Sequence, residues 1–589
     1  MNKRTFAFTH LGFNVGCWVV CLNWLALAIM IFPSIAKAQV PSAGQSGVVE
    51  KSLRKSQPKV IIPAKGEIPN ITIKDSRKLE DAGAGPSFFV RKIEIEGNTL
   101  FDNETLAPLV DIKEGIEMTL GVLALYAQEI TAYYNSEGYI LARAFIPQQE
   151  IKDGVAKLKV VEGRVGAVSV RGTKRLRSSD FVKRLEAVTE DEILKEQTLE
   201  RVLLELNDML GVQVRSVLKP GELPGTSDLV LEVTESRPYQ ISFDADNFGS
   251  RFTGKNRFGL TATVGSLLKL GDQFSVRVVE SDAKQHFIQP VYSIPIGNHG
   301  TTIRGSFTYS EFRLGEDIAS LEAGGEAVLY DIGVNQVLLR NRTMRIAANG
   351  GFEYRKFINR QFVPVSDTTT SDDRLGDFYV GLGGNFSDSF RGNTYFNIRT
   401  QFGFTESDPN GSSNSRAQGR GNGTVATVDV VRYQGTNILN SYFYMKAEGQ
   451  VVSDRVLSPD QISIGGFGTV RGYPLAEFSG DNGYVFSLEY VLPIPYKSPI
   501  GSGKLTLDQV LSFFVFVDHA KVFVLDKQPG EKDQSISGAG GGIRINIPKS
   551  KPHDLSASFS ILYGTSAFRG PGPSDGSSGT VYVNGIITY

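Results

Sequence analysis

The sequence predicts a transmembrane β-barrel of about sixteen antiparallel strands, preceded by two small α+β units of β-α-α-β-β order. Three observations carry this. From about Ser236 to Tyr589 the helical period is gone, and apolar side chains alternate with polar ones between clusters of Gly, Asn, Asp and Pro. Between residues 88 and 235 one strand-helix-helix-strand-strand pattern occurs twice in succession. The N-terminus reads as an export signal. Composition narrows the field further. In 589 residues, 62 Lys and Arg face 63 Asp and Glu, so there is no basic field for nucleic acid. With 41% hydrophobic and 21% charged residues the chain is not wholly disordered. One N-terminal stretch alone is apolar enough for a spanning helix, which excludes a multi-span helical protein.

Taken in order, Lys3 and Arg4 precede an apolar run from about Leu11 to Phe32, and Ala36-Lys37-Ala38 ends it. This predicts a signal peptide over 1–38, with an uncleaved anchor helix as the alternative. Cleavage there removes Cys17, Cys21, Trp18 and Trp24, which are all the Cys and Trp of the chain. The mature protein then has no disulfide and no Cys-based metal site or nucleophile. Residues 39–87 are rich in Pro, Gly, Ser and Lys and read as a linker with one short helix at 47–54. The first unit, 88–163, opens with a strand over 88–95 and a turn at Glu96-Gly97-Asn98-Thr99. Asp102 caps a short helix reaching about Val110. Thr119 caps a longer one whose apolar face is Leu120, Leu123, Ala127, Ile130 and Tyr134, and Gly138 stops it. Strands are expected at 139–146 and 155–161. The second unit, 164–235, repeats the order. It has a strand at 165–171, a turn at Gly172-Thr173 and helices at 179–187 and 197–210. Leu199, Val202, Leu203, Leu206 and Leu210 share a face of the second helix, and strands follow at 212–218 and 229–234.

In the remainder, 236–589, Tyr484, Phe486, Leu488 and Tyr490 oppose Val485, Ser487 and Glu489, and Ile241, Phe243 and Ala245 oppose Ser242, Asp244 and Asp246. A soluble sandwich shows the same alternation. The export signal, the aromatic segment ends and the alternation of short (388–393, 548–553) with long (408–422, 453–480) connections favour a membrane barrel, which leaves no open edge in lipid.

One long connection holds Gly465-Gly466-Phe467-Gly468-Thr469-Val470-Arg471-Gly472-Tyr473-Pro474. No P-loop Lys-Ser/Thr follows, so a phosphate cradle is a poor reading; an ordinary surface loop is the bland one. A later strand reads Phe513-Phe514-Val515-Phe516-Val517-Asp518-His519, with Asp518 on the face of Phe514 and Phe516. If that face lines the lumen, Asp518 needs a partner or water, and Arg471 on an inward-folded loop supplies a planar two-pronged donor. His286, His299, His519 and His553 have no metal-ligand spacing, and no nucleophile elbow or HExxH occurs. No enzyme, metal or cofactor is expected.

These residues resemble the outer-membrane transporters of two-partner secretion, the TpsB family of hemolysin secretion/activation proteins, over nearly the whole mature chain. Val470-Arg471-Gly472-Tyr473 matches the superfamily's sixth-loop VRGY signature. Phe514–Asp518 matches its F-x-F-x-D-x-G strand, except that Ala520 stands where Gly is usual. The two α+β units resemble POTRA domains, through Gly138, Tyr139, Pro147 and Gly154 to Gly163 in the first and Gly211-Val212-Gln213-Val214 to Glu222 in the second. The resemblance implies a monomeric pore in outer-membrane lipid and lipopolysaccharide, with its POTRA domains in the periplasm. It implies capture and export of an unfolded partner exoprotein, of adhesin or hemolysin type, that export can also activate. It implies a loop lock of Arg471 and Asp518 with Val470, Gly472, Tyr473, Phe514 and Phe516. It also implies a cargo-recognition region including Gly138, Tyr139, Arg143, Pro147 and Gly163, and a plug helix at 47–54. An insertase of the same superfamily is the runner-up. A passive porin needs neither the POTRA units nor the lock, and a surface adhesin would normally place its domain outside rather than before the barrel.

Overall fold

The computed structural model describes residues 41–55, 71–73, 86–110, 115–189, 193–363, 366–405, 414–500, 505–550, 554–568 and 570–589. The expected export signal lies outside the described residues. Helix α1 (Ser46–Lys55) and strand β1 (Ile71–Ile73) come first. The first α+β unit holds β2 (Ser87–Val90), β3 (Lys92–Glu96), α2 (Asn103–Leu106), β4 (Ile116–Thr119), α3 (Leu120–Ser136), β5 (Arg143–Phe145) and β6 (Val155–Val161). The second holds β7 (Arg164–Arg171), α4 (Ser178–Thr189), α5 (Glu196–Asn207), β8 (Val212–Pro220) and β9 (Thr226–Glu235).

Three expectations need correcting. The single strand over 88–95 is two: β2 pairs with β4, and β3 pairs in parallel with β6. The chain changes partner at Arg91, where the N–H groups of Arg91 and Lys92 both donate to the Gly154 carbonyl. The strand over 139–146 shrinks to β5, because Ala142 N–H closes a turn onto Tyr139 C=O at 3.0 Å. The linker is not all irregular: β1 joins the second unit's sheet, in the order β1-β8-β9-β7.

The helices start where capping chemistry predicts. Asp102 accepts from Thr105 N–H at 2.8 Å, and the Thr105 side chain and backbone together hold its carboxyl below the usual range. Thr119 accepts from Val122 N–H. On α3, Leu123, Ala127, Ile130 and Tyr134 are buried, whereas Leu120 stays exposed at the first turn. On α5 the core residues are Leu199, Val202, Leu203 and Leu206; Leu210 lies past the helix end. Each fully buried Leu contributes roughly 1.5–3 kcal/mol. The repeat is also visible in a shared device. Gly97 and Gly172 both turn at left-handed φ (84° and 89°), and a carboxylate gathers the N–H groups that follow. Glu162 takes Thr99 N–H (2.6 Å), Leu100 N–H (2.8 Å) and the Tyr134 hydroxyl (2.9 Å). Glu235 takes Lys174, Arg175 and Leu176 N–H. Burial opposes ionisation of Glu235, but those backbone donors hold its carboxyl below the usual range.

Sixteen antiparallel strands, from Tyr239–Asp246 to Thr580–Thr588, close a barrel in which the first pairs with the last, Ser242↔Thr588 through Asp246↔Asn584. The expected alternation sets its faces: Phe243, Phe258, Phe486 and Val515 are exposed outward, whereas Glu489, Phe514, Phe516 and Asp518 are buried inward. The sixth to eighth strands, Ala323–Arg340, Met344–Val363 and Ser366–Ser387, have 18, 20 and 22 residues. A membrane crossing needs about 9–11, so these strands project well beyond it. Their projecting ends lie away from the α+β units, because the turn joining the sixth and seventh strands meets α5. There Arg340 pairs with Asp208 at 2.8 Å, and Arg342 pairs with Glu196 at 3.2 Å and Glu200 at 3.1 Å.

Candidate functional site: a loop folded into the barrel lumen

The connection between the eleventh strand (Tyr442–Val452) and the twelfth (Asn482–Pro493) turns inward. Its stem is a small hairpin, Ile462–Ile464 against Phe478–Gly480. Its tip folds back at Gly465 and Gly466, both at positive φ. Arg471 is thereby delivered to the thirteenth strand, Leu511–Phe523. Its Nε donates to Asp518 Oδ2 at 2.8 Å, its Nη2 to Oδ1 at 2.7 Å, and its own N–H to Oδ2 at 3.0 Å. Nη1 pairs with Glu489, and Nη2 also reaches Ser487 Oγ at 3.0 Å. The guanidinium lies 3.5 Å over the Phe516 ring. Asp518 is fully buried, and Ser487 donates its hydroxyl to it at 2.6 Å. Arg544, above the Phe514 ring, bonds the second oxygen of Glu489 at 3.3 Å. A buried charge costs several kcal/mol unless paired; here two cations and two carboxylates satisfy one another.

The flanking residues fix that position. Gly472 has φ +97°, and a Cβ there would strike the Thr565 backbone. Its N–H donates to the Tyr582 hydroxyl at 3.0 Å, and that hydroxyl donates to Tyr473 C=O. Tyr473 in turn donates its hydroxyl to Pro571 C=O at 3.0 Å. Val470 is buried with Ile462, Ile464, Val485, Val522 and Ile536, and the Ala520 methyl fills part of that same cluster. All seven sequence-expected residues therefore converge here. Glu489, Ser487, Arg544 and Tyr582 were missed. Glu489 and Ser487 carried a signal, since both lie on the polar face of the alternating Tyr484–Tyr490 segment.

A second charge cluster faces the loop's stem and was not expected at all. Arg355, on the seventh strand, gives Nη2 to Asp377 and Nη1 to Asp460 of the loop, both at 2.6 Å. Helix α1 lies in the lumen against it. Arg54 bonds Glu353 at 3.1 Å, Ser46 N–H bonds Asn359 at 3.0 Å, Lys51 reaches Gln461 C=O at 3.0 Å, and Gly47 sits flush on Pro459. At the far mouth Asp481 takes both prongs of Arg416 and the N–H groups of Val456 and Leu525.

The residues expected at the cargo region are split. Gly138 and Gly163, both at positive φ, lend their carbonyls to Glu196 and Leu194 N–H, and Lys195 lies over the Tyr139 ring. They form the joint between the α+β units. Arg143 and Pro147 lie on and just after edge strand β5, where Ala144 N–H donates to Thr131 of α3. Among the described residues no group of three His, Asp or Glu side chains converges as a metal site.

Comparison with known proteins decides the family. The profile of the haemolysin secretion/activation protein family ShlB/FhaC/HecB matches residues 225–545, and that of the ShlB-type POTRA domain matches 88–163. The chain belongs to the haemolysin secretion/activation family. Among its relatives is the heme/hemopexin transporter protein HuxB of Haemophilus influenzae (strain 86-028NP), 25% identical over 77% of this chain and 81% of that protein. Another is the outer membrane transporter CdiB of Dickeya dadantii (strain 3937), 24% identical over 79% and 82%. The solved structure of CdiB from Escherichia coli superposes with a TM-score of 0.67, covering 99% of this chain and all of that one at 20% identity. The protein is thus an outer-membrane two-partner secretion transporter with periplasmic POTRA domains. It exports a partner exoprotein, and the insertase alternative falls away.

Proposed function

We propose that the transporter rests in a closed state held by two devices, and that its partner enters as an extended chain along a POTRA sheet edge. Arg471 with Asp518 locks the sixth loop across the lumen, with Val470, Gly472, Tyr473, Phe514 and Phe516 seating it. Helix α1 plugs what remains of the pore. Folding of the partner beyond the far mouth gives export its direction without ATP. The single chain encloses the pore as a monomer in outer-membrane lipid and lipopolysaccharide.

The pairing of β1 carries the reading of partner capture. Ile71, Thr72 and Ile73 lie in parallel register with Ser216, Val217 and Leu218 of β8. This edge therefore accepts an extended segment by strand addition, and the chain's own linker holds the place in the absence of a partner. Arg143 and Pro147, near the shorter edge of the first POTRA domain, offer a second contact, whereas Gly138, Tyr139 and Gly163 hold the two domains in line. The test is a Thr72→Pro/Ile73→Pro transporter in detergent, titrated with the unfolded partner exoprotein. Loss of linker pairing, worth about 1 kcal/mol for each hydrogen bond, should tighten binding roughly fivefold or more. Unchanged or weaker binding refutes capture at β8.

A further inference from the structure

The seventh and eighth barrel strands set Lys356 directly opposite Arg374. Glu353, Arg355 and Phe357 are buried toward the lumen, so Tyr354 and Lys356 between them face outward. On the same outer face, toward the periplasm, lie Tyr330 and Ile332 of the sixth strand, Phe352 and Tyr354 of the seventh, and Phe378 and Val380 of the eighth. Tyr330, Ile332, Phe378 and Val380 are each more than half exposed. This is the aromatic-topped apolar surface that a barrel shows to acyl chains. The two cations stand one register step beyond it. They are on the extracellular side, because the opposite ends of the sixth and seventh strands join beneath the second POTRA domain.

Like charges directly opposite on one sheet face repel. The protein neutralises this pair only in part. Arg374 gives Nε and Nη2 to Asp372, at 3.3 and 2.8 Å. Arg360, further out, is tied to Glu326 at 3.4 Å. Among the described residues Lys356 has no carboxylate at ion-pair distance. A polyvalent anion held where the acyl chains end completes the arrangement. Lys356 meets it as a point charge, and Arg374 meets it with the Nη1 side of its fork. A phosphate on a membrane lipid has this chemistry, and in the outer leaflet of an outer membrane it belongs to a phosphorylated glycolipid.

We propose that Lys356 and Arg374 form a binding site for a phosphate of lipid A, the membrane-embedded part of lipopolysaccharide; this rests on the membrane placement given above. The test is native mass spectrometry of the delipidated full-length transporter in detergent. It is titrated with bisphosphorylated lipid A, with lipid A stripped of its phosphates, and with phosphatidylglycerol. The wild type should hold bisphosphorylated lipid A about tenfold more tightly than either of the others. The Lys356→Gln/Arg374→Gln variant should lose about that factor, while Lys521→Gln, an outward lysine of the thirteenth strand, should not. Equal binding of phosphate-free lipid A or of phosphatidylglycerol, or full retention by the double variant, overturns the site. Export of the partner by the double variant separates this result from the transporter reading: unchanged lipid A binding with normal export removes the lipid site alone.

Discussion

Replacing Arg471 with Ala removes the group on which the inward fold of the sixth loop depends. Arg471 and Asp518 are 5% and 0% exposed, so water cannot take over the lost bonds without the loop moving. Three hydrogen bonds to Asp518 originate on Arg471, two of them from the guanidinium, which also serves Glu489 and Ser487 and covers Phe516. Removing one partner of such a buried pair costs roughly 3–5 kcal/mol, because it strands the carboxylates. At about 1.4 kcal/mol per tenfold, the balance between seated and released loop shifts by roughly 10² to 10⁴. The barrel strands lose no ladder bond, so the barrel itself should assemble. The assay is partner protein in the medium per unit of folded transporter, with heat-modifiable gel migration reporting folding and a protease site in the loop reporting its release. Secretion should fall severalfold or more, because a loop no longer held to the wall lies loose in the lumen that the partner must thread, and the loop should become cleavable. Arg471→Lys should recover little, since an ammonium cannot reproduce the fork or the stacking on Phe516. Wild-type secretion by both Arg471→Ala and Asp518→Ala, with the loop still protected, would refute the reasoning.

Two further outcomes follow from the same lumen. Deleting residues 42–55 removes α1 and its contacts to Glu353, Asn359 and Gln461, so single-channel conductance should rise; an unchanged trace would contradict a plug. Ala520→Gly restores the usual residue of the strand signature but empties a methyl-sized space beside Val470 and Val485, at a cost of about 1 kcal/mol, so the heat-modifiable transition should move to lower temperature. A transition at or above the wild-type temperature would show that this methyl adds nothing to loop seating.

Local pattern was enough for the architecture. The two-residue period of Tyr484–Tyr490 put Glu489 and Ser487 on the inner face, and the three-to-four-residue spacing of α3 picked out Leu123, Ala127, Ile130 and Tyr134. It failed where a residue's partner changes without any change in composition, as at Arg91, and at Leu120, whose helical position is apolar but whose first turn meets solvent. It was also silent on β1, because Ile71-Thr72-Ile73, three residues in a Pro- and Lys-rich linker, become a strand only when β8 lends an edge.

Side-chain periodicity in the sequence predicted about sixteen strands and the two α+β units, whereas it left the inward face of Asp518 conditional, and the pairing of Arg471 with it came as an implication of the resemblance. The tertiary structure alone decided which charges share the lumen. Arg355 meets Asp460 at a separation of 105 residues, and Arg54 meets Glu353 at 299. Closure of the barrel is the cause. A barrel brings inward side chains of its strands, the infolded loop and helix α1 into one poorly hydrated space, where each charge must find an opposite charge, and nothing in a strand's local period says which one it will be.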